Sequence, residues 1–171
     1  TILTKLSELS PVSGRFEVIR MAGILAIVDY AHTPDALKNV LSTINDVKSP
    51  DSRVLTVVGC GGDRDKTKRP IMAQEAAAQS DTLVLTSDNP RTEDPQSILD
   101  DMVKGLSKDR LEDTIVIVDR RQAIKTACKL AKNDDIVLVA GKGHENYQIV
   151  GKEKHHFDDK EEVIASLSSK K

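Results

Sequence analysis

The chain has 171 residues, enough for one domain with a sizeable core, and a single domain over residues 1–171 is the expectation. Its 25 Lys plus Arg against 27 Asp plus Glu leave a formal charge of −2, which argues against a nucleic-acid partner or an anionic membrane surface. With no Trp, two Phe and two Tyr it also lacks the aromatics that stack single-stranded bases, and its core must come from Val, Ile, Leu and Ala.

Residues 15–20 and 24–30, on either side of Met21-Ala22-Gly23, predict two strands joined by a tight glycine turn. The run 24–28 is apolar throughout, as a strand covered on both faces should be. Thr33 is a good N-cap and Pro34 a good first helical residue. Leu37, Val40, Leu41, Ile44 and Val47 then share one face of a helix that stops near Ser49-Pro50. The unit recurs as a strand at 54–58, a loop at 59–69 and a short helix at 70–79. A strand at 82–86 and a polar loop at 87–94 lead into a helix opened by Pro95, with Ile98, Leu99, Met102, Val103 and Leu106 in a stripe. A strand at 114–118, a helix at 121–131 burying Ala123, Ile124, Ala127 and Cys128, and a strand at 136–140 follow. The chain ends in a hairpin (147–150, Gly151 at or near the turn, 154–157) and a helix from Asp159 to about Ser168. Alternating apolar strands and amphipathic helices predict a Rossmann-like three-layer α/β domain, with a mostly parallel sheet of about six strands and helices on both faces.

Ligands of open α/β sheets bind beyond the carboxyl ends of the strands, and every polar cluster of this chain falls there. Asp29 and His32 follow one strand, Arg64 and Lys66 the next, Asp88, Asn89 and Arg91 the third, and Lys142, His144 and Glu145 the last. Singly, each has a bland alternative: Asp88 and Asn89 before Pro90 are ordinary turn residues, and His32 serves equally well as a cap or a packing residue. Four clusters on one edge point instead to a site. In the loop 59–69, Gly59, Gly61 and Gly62 allow a tight turn and a close approach, and the next seven residues hold four cations and two carboxylates, Asp63 and Asp65. That composition suits an anionic or zwitterionic ligand, with the two carboxylates orienting Arg64 and Lys66. It is not a Walker A loop, because no Gly-x-x-x-x-Gly-Lys-Ser/Thr occurs.

His155 and His156 lack a Glu or Cys at ligand spacing and are expected to face solvent, so no metal site is expected here. Cys60 and Cys128 show neither metal nor redox spacing, no run approaches a membrane helix and no signal peptide opens the chain, which together predict a cytoplasmic protein. The chain begins with Thr1 rather than Met, which suggests processing or a fragment of something longer.

Asp29-Tyr30-Ala31-His32-Thr33-Pro34-Asp35-Ala36-Leu37, residues 59–69, Ser87-Asp88-Asn89-Pro90-Arg91-Thr92-Glu93-Asp94-Pro95 and Ala140-Gly141-Lys142-Gly143-His144-Glu145 resemble the C-terminal domain of the Mur ligases. The likeness runs from about Ser10 to the C-terminus and is nearest to the branch that adds the third residue of the peptidoglycan stem peptide. It implies the last third of a three-domain enzyme whose UDP-sugar domain and central ATPase domain, which binds ATP and Mg2+, are absent from this chain. By resemblance, ATP converts the glutamate carboxylate of UDP-N-acetylmuramoyl-alanyl-glutamate to an acyl phosphate, which the amine of the incoming amino acid attacks. Arg15 of Gly14-Arg15-Phe16-Glu17, Asp29 and His32 would meet the adenosine end of ATP, and Lys66 its phosphates. The family usually has Met at the position of Phe16.

In the family the pattern Asp88-Asn89-Pro90-Arg91 marks members that take meso-diaminopimelate, whereas lysine-adding relatives lack the Arg. The resemblance assigns Arg91 to the distal carboxylate, Glu145 and the Gly141 carbonyl to the ammonium, and Arg64 to a further carboxylate. The physics agrees, since a guanidinium grips a carboxylate with two parallel hydrogen bonds. The expectation is a cytoplasmic, monomeric ligase with meso-diaminopimelate, the UDP-N-acetylmuramoyl-dipeptide and ATP as partners, the fragment alone being inactive. The alternatives are lysine or another diamino acid as substrate, or a stand-alone non-catalytic module that binds amino acid or nucleotide.

Overall fold

A computed structural model of the chain describes residues 15–170; Gly14 and Ser10 lie outside them. The apolar runs build β1 (Glu17–Met21), β2 (Ile24–Asp29), β3 (Val54–Cys60), β4 (Thr82–Ser87), β5 (Ile115–Val116) and β6 (Ile136–Ala140), in one sheet of order β1-β2-β6-β3-β4-β5. β1 runs antiparallel to β2 and the other pairings are parallel. Ala22 and Gly23 both take positive φ, 54° and 74°, the turn whose twist suits a two-residue hairpin.

The central strands lack alternation because both faces are covered. Ile136, Leu138 and Ala140 of β6 enter one core, and Val137 and Val139 the other. On the first face lie α1 (Pro34–Val47), α2 (Lys68–Ala78) and α3 (Pro95–Val103). Thr33 accepts a hydrogen bond from Ala36 N and Pro34 opens α1, as read from the sequence. Leu37, Leu41 and Ile44 of α1 are fully buried, each contributing about 1.5–3 kcal/mol by transfer from water. α4 (Lys108–Asp113) buries no residue and links α3 to β5. α5 (Arg120–Leu130) and α6 (Asp159–Ser168) cover the second face. A separate antiparallel hairpin pairs β7 (Tyr147–Val150) with β8 (Glu153–His156).

Several boundaries differ from the sequence reading. β3 continues through Gly59 and Cys60, which pair with Thr86 and Ser87, so two residues of the glycine loop belong to the sheet. α2 begins at Lys68, ahead of Pro70, because the N–H groups of a first turn have no intrahelical partner and a proline there removes nothing. α3 ends at Val103, three residues short of Leu106. β5 keeps two residues of the expected five: it is an edge strand, and Val116 and Val118 remain exposed. α4 was not expected, since six polar-rich residues without a buried face carry no apolar period. Among the described residues no helix is long and apolar enough to cross a membrane.

Candidate functional site

Because β2, β6, β3 and β4 run parallel, their carboxyl ends reach the same edge of the sheet. The loops leaving them enclose a cleft of about 530 Å3, to which His32, Arg64, Asp88, Asn89, Arg91, Gly141 and Glu145 all contribute. The four loops therefore converge as the topology required. Arg15, Asp29, Lys66 and Pro90, also singled out in the sequence, do not line the cleft.

The segment 88–91 is held from below by Lys142. This side chain has no exposed surface, and a buried ammonium persists only when paired. Its Nζ lies 2.9 Å from Asp88 Oδ1, donates to Asn89 Oδ1 at 2.7 Å and donates to Tyr147 O at 3.0 Å. The Asn89 oxygen is thus committed to the protein, whereas Asp88 Oδ1 has the ionic contact but no hydrogen bond among the described residues. Arg91 takes φ 52°, the left-handed region, and its Nη1 donates to Gly62 O at 3.0 Å. No acceptor among the described residues holds its Nε or Nη2. Gly62 N donates to Asn89 O at 2.8 Å, and a Cβ at position 62 would overlap the Pro90 carbonyl. Only glycine lets the two loops meet this closely.

In the loop 59–69, Arg64 is exposed, lines the cleft and, among the described residues, bonds only the carbonyl of Asp63. Asp63 and Asp65 do not orient the neighbouring cations. Asp63 accepts from Thr92 Oγ1 at 2.8 Å, and Asp65 Oδ1 accepts from Thr67 N at 3.0 Å and Thr67 Oγ1 at 2.6 Å. Local turn bonding wins because Thr67 lies two residues after Asp65, within reach of a short side chain; the Thr67 hydroxyl also holds the Asp65 carboxyl below its ordinary value. Arg69 is buried, pairs with Glu93 at 2.8 Å and Asp101 at 3.0 Å, and donates to Gly61 O at 3.1 Å. Its hydrogen bond pushes Glu93 down to about 2. Lys66 is exposed and does not line the cleft, whereas Lys68 lines it at the start of α2, whose first turn has no side-chain cap. Arg64, Lys68, Arg91 and the positive end of α2 make this wall complementary to anions.

At the end of β2, Asp29 is buried, with Oδ1 accepting from Phe16 N at 2.7 Å and Oδ2 from Ala31 N at 2.8 Å. Its carboxylate therefore ties the 15–17 segment to the loop carrying His32. Arg15 and His32 are exposed. The His32 ring stacks obliquely at 4.6 Å on Tyr30, which in turn lies 5.3 Å from His144. Also lining the cleft, Tyr147 Oη donates to Glu145 Oε2 at 3.2 Å, and the Glu145 charge raises the tyrosine pKa. Cys60 lines the floor, but burial pushes its thiol up to about 12, so it is protonated at neutral pH and no nucleophile. His155 and His156 are exposed, and the hydrogen bond that the His156 ring donates to the Glu161 carboxylate raises its pKa. Among the described residues no three His, Cys, Asp or Glu side chains are grouped to hold a metal.

Sequence reading missed three contributors. Arg120 is fully buried against Asp159, with Nε to Oδ1 at 2.8 Å and Nη2 to Oδ2 at 2.7 Å. It also donates to Ser87 O at 2.9 Å and Ala140 O at 3.2 Å, tying the ends of β4 and β6 one residue before Asp88 and Gly141. Nothing in a helix-opening arginine signals this. Arg69 looked like one more loop cation, and Tyr147 like a strand residue; only Lys142, between two glycines in a polar cluster, carried a signal.

Over residues 14–143 the sequence matches the family described as Mur ligase, glutamate ligase domain. It is 59% identical over 161 residues, 94% of its length, to UDP-N-acetylmuramoyl-L-alanyl-D-glutamate--2,6-diaminopimelate ligase of Phocaeicola vulgatus, covering 33% of that protein. To the ligase of the same name from Parabacteroides distasonis it is 57% identical over 169 residues, 98% of this chain and 35% of that protein. The chain thus spans about a third of the length of these curated relatives. A solved structure of UDP-N-acetylmuramoyl-L-alanyl-D-glutamate--2,6-diaminopimelate ligase matches with TM-score 0.85 and 47% identity, covering 95% of this chain and 33% of that one. On this family match and these identities, the chain belongs to the Mur ligases, as their glutamate ligase domain.

Proposed function

We propose that this chain is the amino-acid-binding, nucleotide-closing domain of a cytoplasmic, monomeric ligase that adds meso-diaminopimelate to UDP-N-acetylmuramoyl-L-alanyl-D-glutamate in peptidoglycan synthesis. The UDP-sugar and ATPase domains lie elsewhere in the same polypeptide. The names of the relatives support this reading. The observation that carries it is that Arg91 and Glu145 line one cleft that Arg64 also lines. The distal end of diaminopimelate bears a carboxylate and an ammonium, whereas that of lysine bears an ammonium alone. Arg91, with Nε and Nη2 uncommitted among the described residues, receives the carboxylate in a two-pronged grip. Glu145 and the Gly141 carbonyl receive the ammonium, Asp88, Asn89 and Pro90 shape the pocket, and Arg64 takes the second carboxylate.

ATP, bound with Mg2+ mainly by the rest of the ligase, supplies the activation of the glutamate carboxylate as an acyl phosphate. Lys68 on the cleft wall fits a phosphate, and the Tyr30–His32 pair offers an aromatic edge to an adenosine. Arg15, His32 and Lys66 approach the nucleotide from this domain, with Asp29 holding the first two in place. The domain orients the incoming amine and excludes water from the activated carboxylate.

The test is an amino-acid competition assay on the full-length ligase, with Arg91→Ala beside wild type. Diaminopimelate should be preferred strongly over lysine, and Arg91→Ala should raise its KM about 100-fold while the KM for ATP stays within about threefold, since a buried charge-assisted pair is lost. Unchanged diaminopimelate kinetics would remove Arg91 from recognition, and equal use of lysine would reassign the substrate.

A further inference from the structure

The hairpin β7–β8 stands apart from the main sheet, yet β7 is bonded along most of the 88–91 segment. Gln148 Nε2 donates to Asp88 O at 2.8 Å, and Ile149 N donates to Asn89 Oδ1 at 3.0 Å. Arg91 N donates to Ile149 O at 3.0 Å and Gly151 N donates to Arg91 O at 2.6 Å, so Arg91 and Val150 pair as an isolated parallel bridge. The same strand reaches the other wall. Tyr147 O accepts from the buried Lys142, Tyr147 Oη donates to Glu145 Oε2, and Lys154 of β8 lies 3.9 Å above the tyrosine ring.

This arrangement answers a specific need. At φ 52° the backbone of Arg91 is in a region that a residue with a Cβ avoids unless its neighbours hold it there. Its N–H and its carbonyl are both bonded to the hairpin, and among the described residues no other strand supplies those bonds. Were they lost, φ would relax and the guanidinium would swing away from the cleft. Glu145 is half-buried on a short loop, and the Tyr147 hydroxyl is its hydrogen-bond partner.

We propose that β7 is the specificity-determining template of the cleft, with Gln148 and Tyr147 as positioning residues. Gln148 registers the segment that aims Arg91 at the distal carboxylate. Tyr147 aims Glu145 at the distal ammonium. The spacing between the two charges, and with it the choice of a ligand carrying both, is set by one four-residue strand. The inference rests on the amino-acid reading above.

The experiment uses the full-length ligase and three variants: Gln148→Met, which keeps the size and loses the donor, Tyr147→Phe, which loses only the hydroxyl, and Arg91→Ala. KM and kcat are measured for meso-diaminopimelate, for lysine at high concentration and for ATP, with a thermal melt of each protein. Gln148→Met should raise the KM for diaminopimelate about tenfold and leave that for lysine unchanged, so the preference falls about tenfold. Tyr147→Phe should raise both about equally, because both amino acids carry the distal ammonium. The kcat values, the KM for ATP and the melts should stay near wild type. Unchanged diaminopimelate KM in both variants overturns the template, as does a uniform loss for every substrate with an early melt, which marks a purely structural hairpin. If Gln148→Met does not fold, the equal rise in Tyr147→Phe decides. Failure of Arg91→Ala to affect diaminopimelate would instead sink the underlying reading, so the two failures are distinguishable.

Discussion

Arg69, Arg120 and Lys142 are charged side chains with at most 1% of their surface exposed, and each sits directly beneath a loop of the cleft. Burial opposes a charge unless partners compensate it, and here the partners are carboxylates and strand-end carbonyls. Arg120 is the deepest case: it joins Asp159 to the last carbonyls of β4 and β6. Asp159→Ala should therefore cost about 3–5 kcal/mol of stability in denaturant unfolding, because it strands a buried guanidinium. Replacing both members, Arg120→Met with Asp159→Leu, should recover most of that loss. A single variant as stable as wild type would show that the pair is not needed. Neither arginine could be placed from the sequence, since an arginine at a helix start reads as solvent-facing, and only the packing of α6 against α5 brings Asp159 to Arg120 across 39 residues; Lys142, between two glycines in a polar cluster, was legible as part of the edge but not as its buried support.

Elements are joined at the cleft by Arg69 of α2, which bridges Glu93 in the loop before α3 and Asp101 on α3. Hydrogen bonding to Arg69 sets Glu93 at about 2, below its ordinary 4.5. A folded value below the unfolded one means that the stabilisation is fully present above about pH 4.5 and is lost as the pH falls towards 2. Melting curves of wild type and Glu93→Gln should differ most at neutral pH, with the gap closing between about pH 4.5 and 2.5. A gap that stays constant across that range would show that the Glu93 charge does not stabilise the junction. The elements themselves were largely legible: Thr33-Pro34 and Asp94-Pro95 marked the starts of α1 and α3, and Asp159 that of α6. β5 and α4 were not, because an edge strand and a solvent-facing helix bury too little to imprint a pattern.

For the whole molecule, the cleft opens at one edge of the sheet and no Walker A sequence occurs in the chain. The purified chain alone should therefore show no ATP hydrolysis and no ligation, measured by phosphate release and product formation; turnover by the chain alone would overturn its reading as one domain of a larger ligase. The sequence by itself determined the α/β class, the strand order along the chain and the four loops that meet, because apolar runs of period-free burial and Pro or Gly boundaries are local signals. It also marked Arg64, Asp88, Asn89, Arg91, Gly141 and Glu145 for the cleft. Only the tertiary structure decided which polar groups are already committed. Asn89 Oδ1 is taken by Lys142 and Ile149, the Asp29 carboxylate by two backbone amides, and Asp63 and Asp65 by threonines. It likewise decided that β7 frames both Arg91 and Glu145. A residue type states what a side chain is able to bond, but its partner is chosen by whichever distant segment the packing of the core brings within about 3 Å.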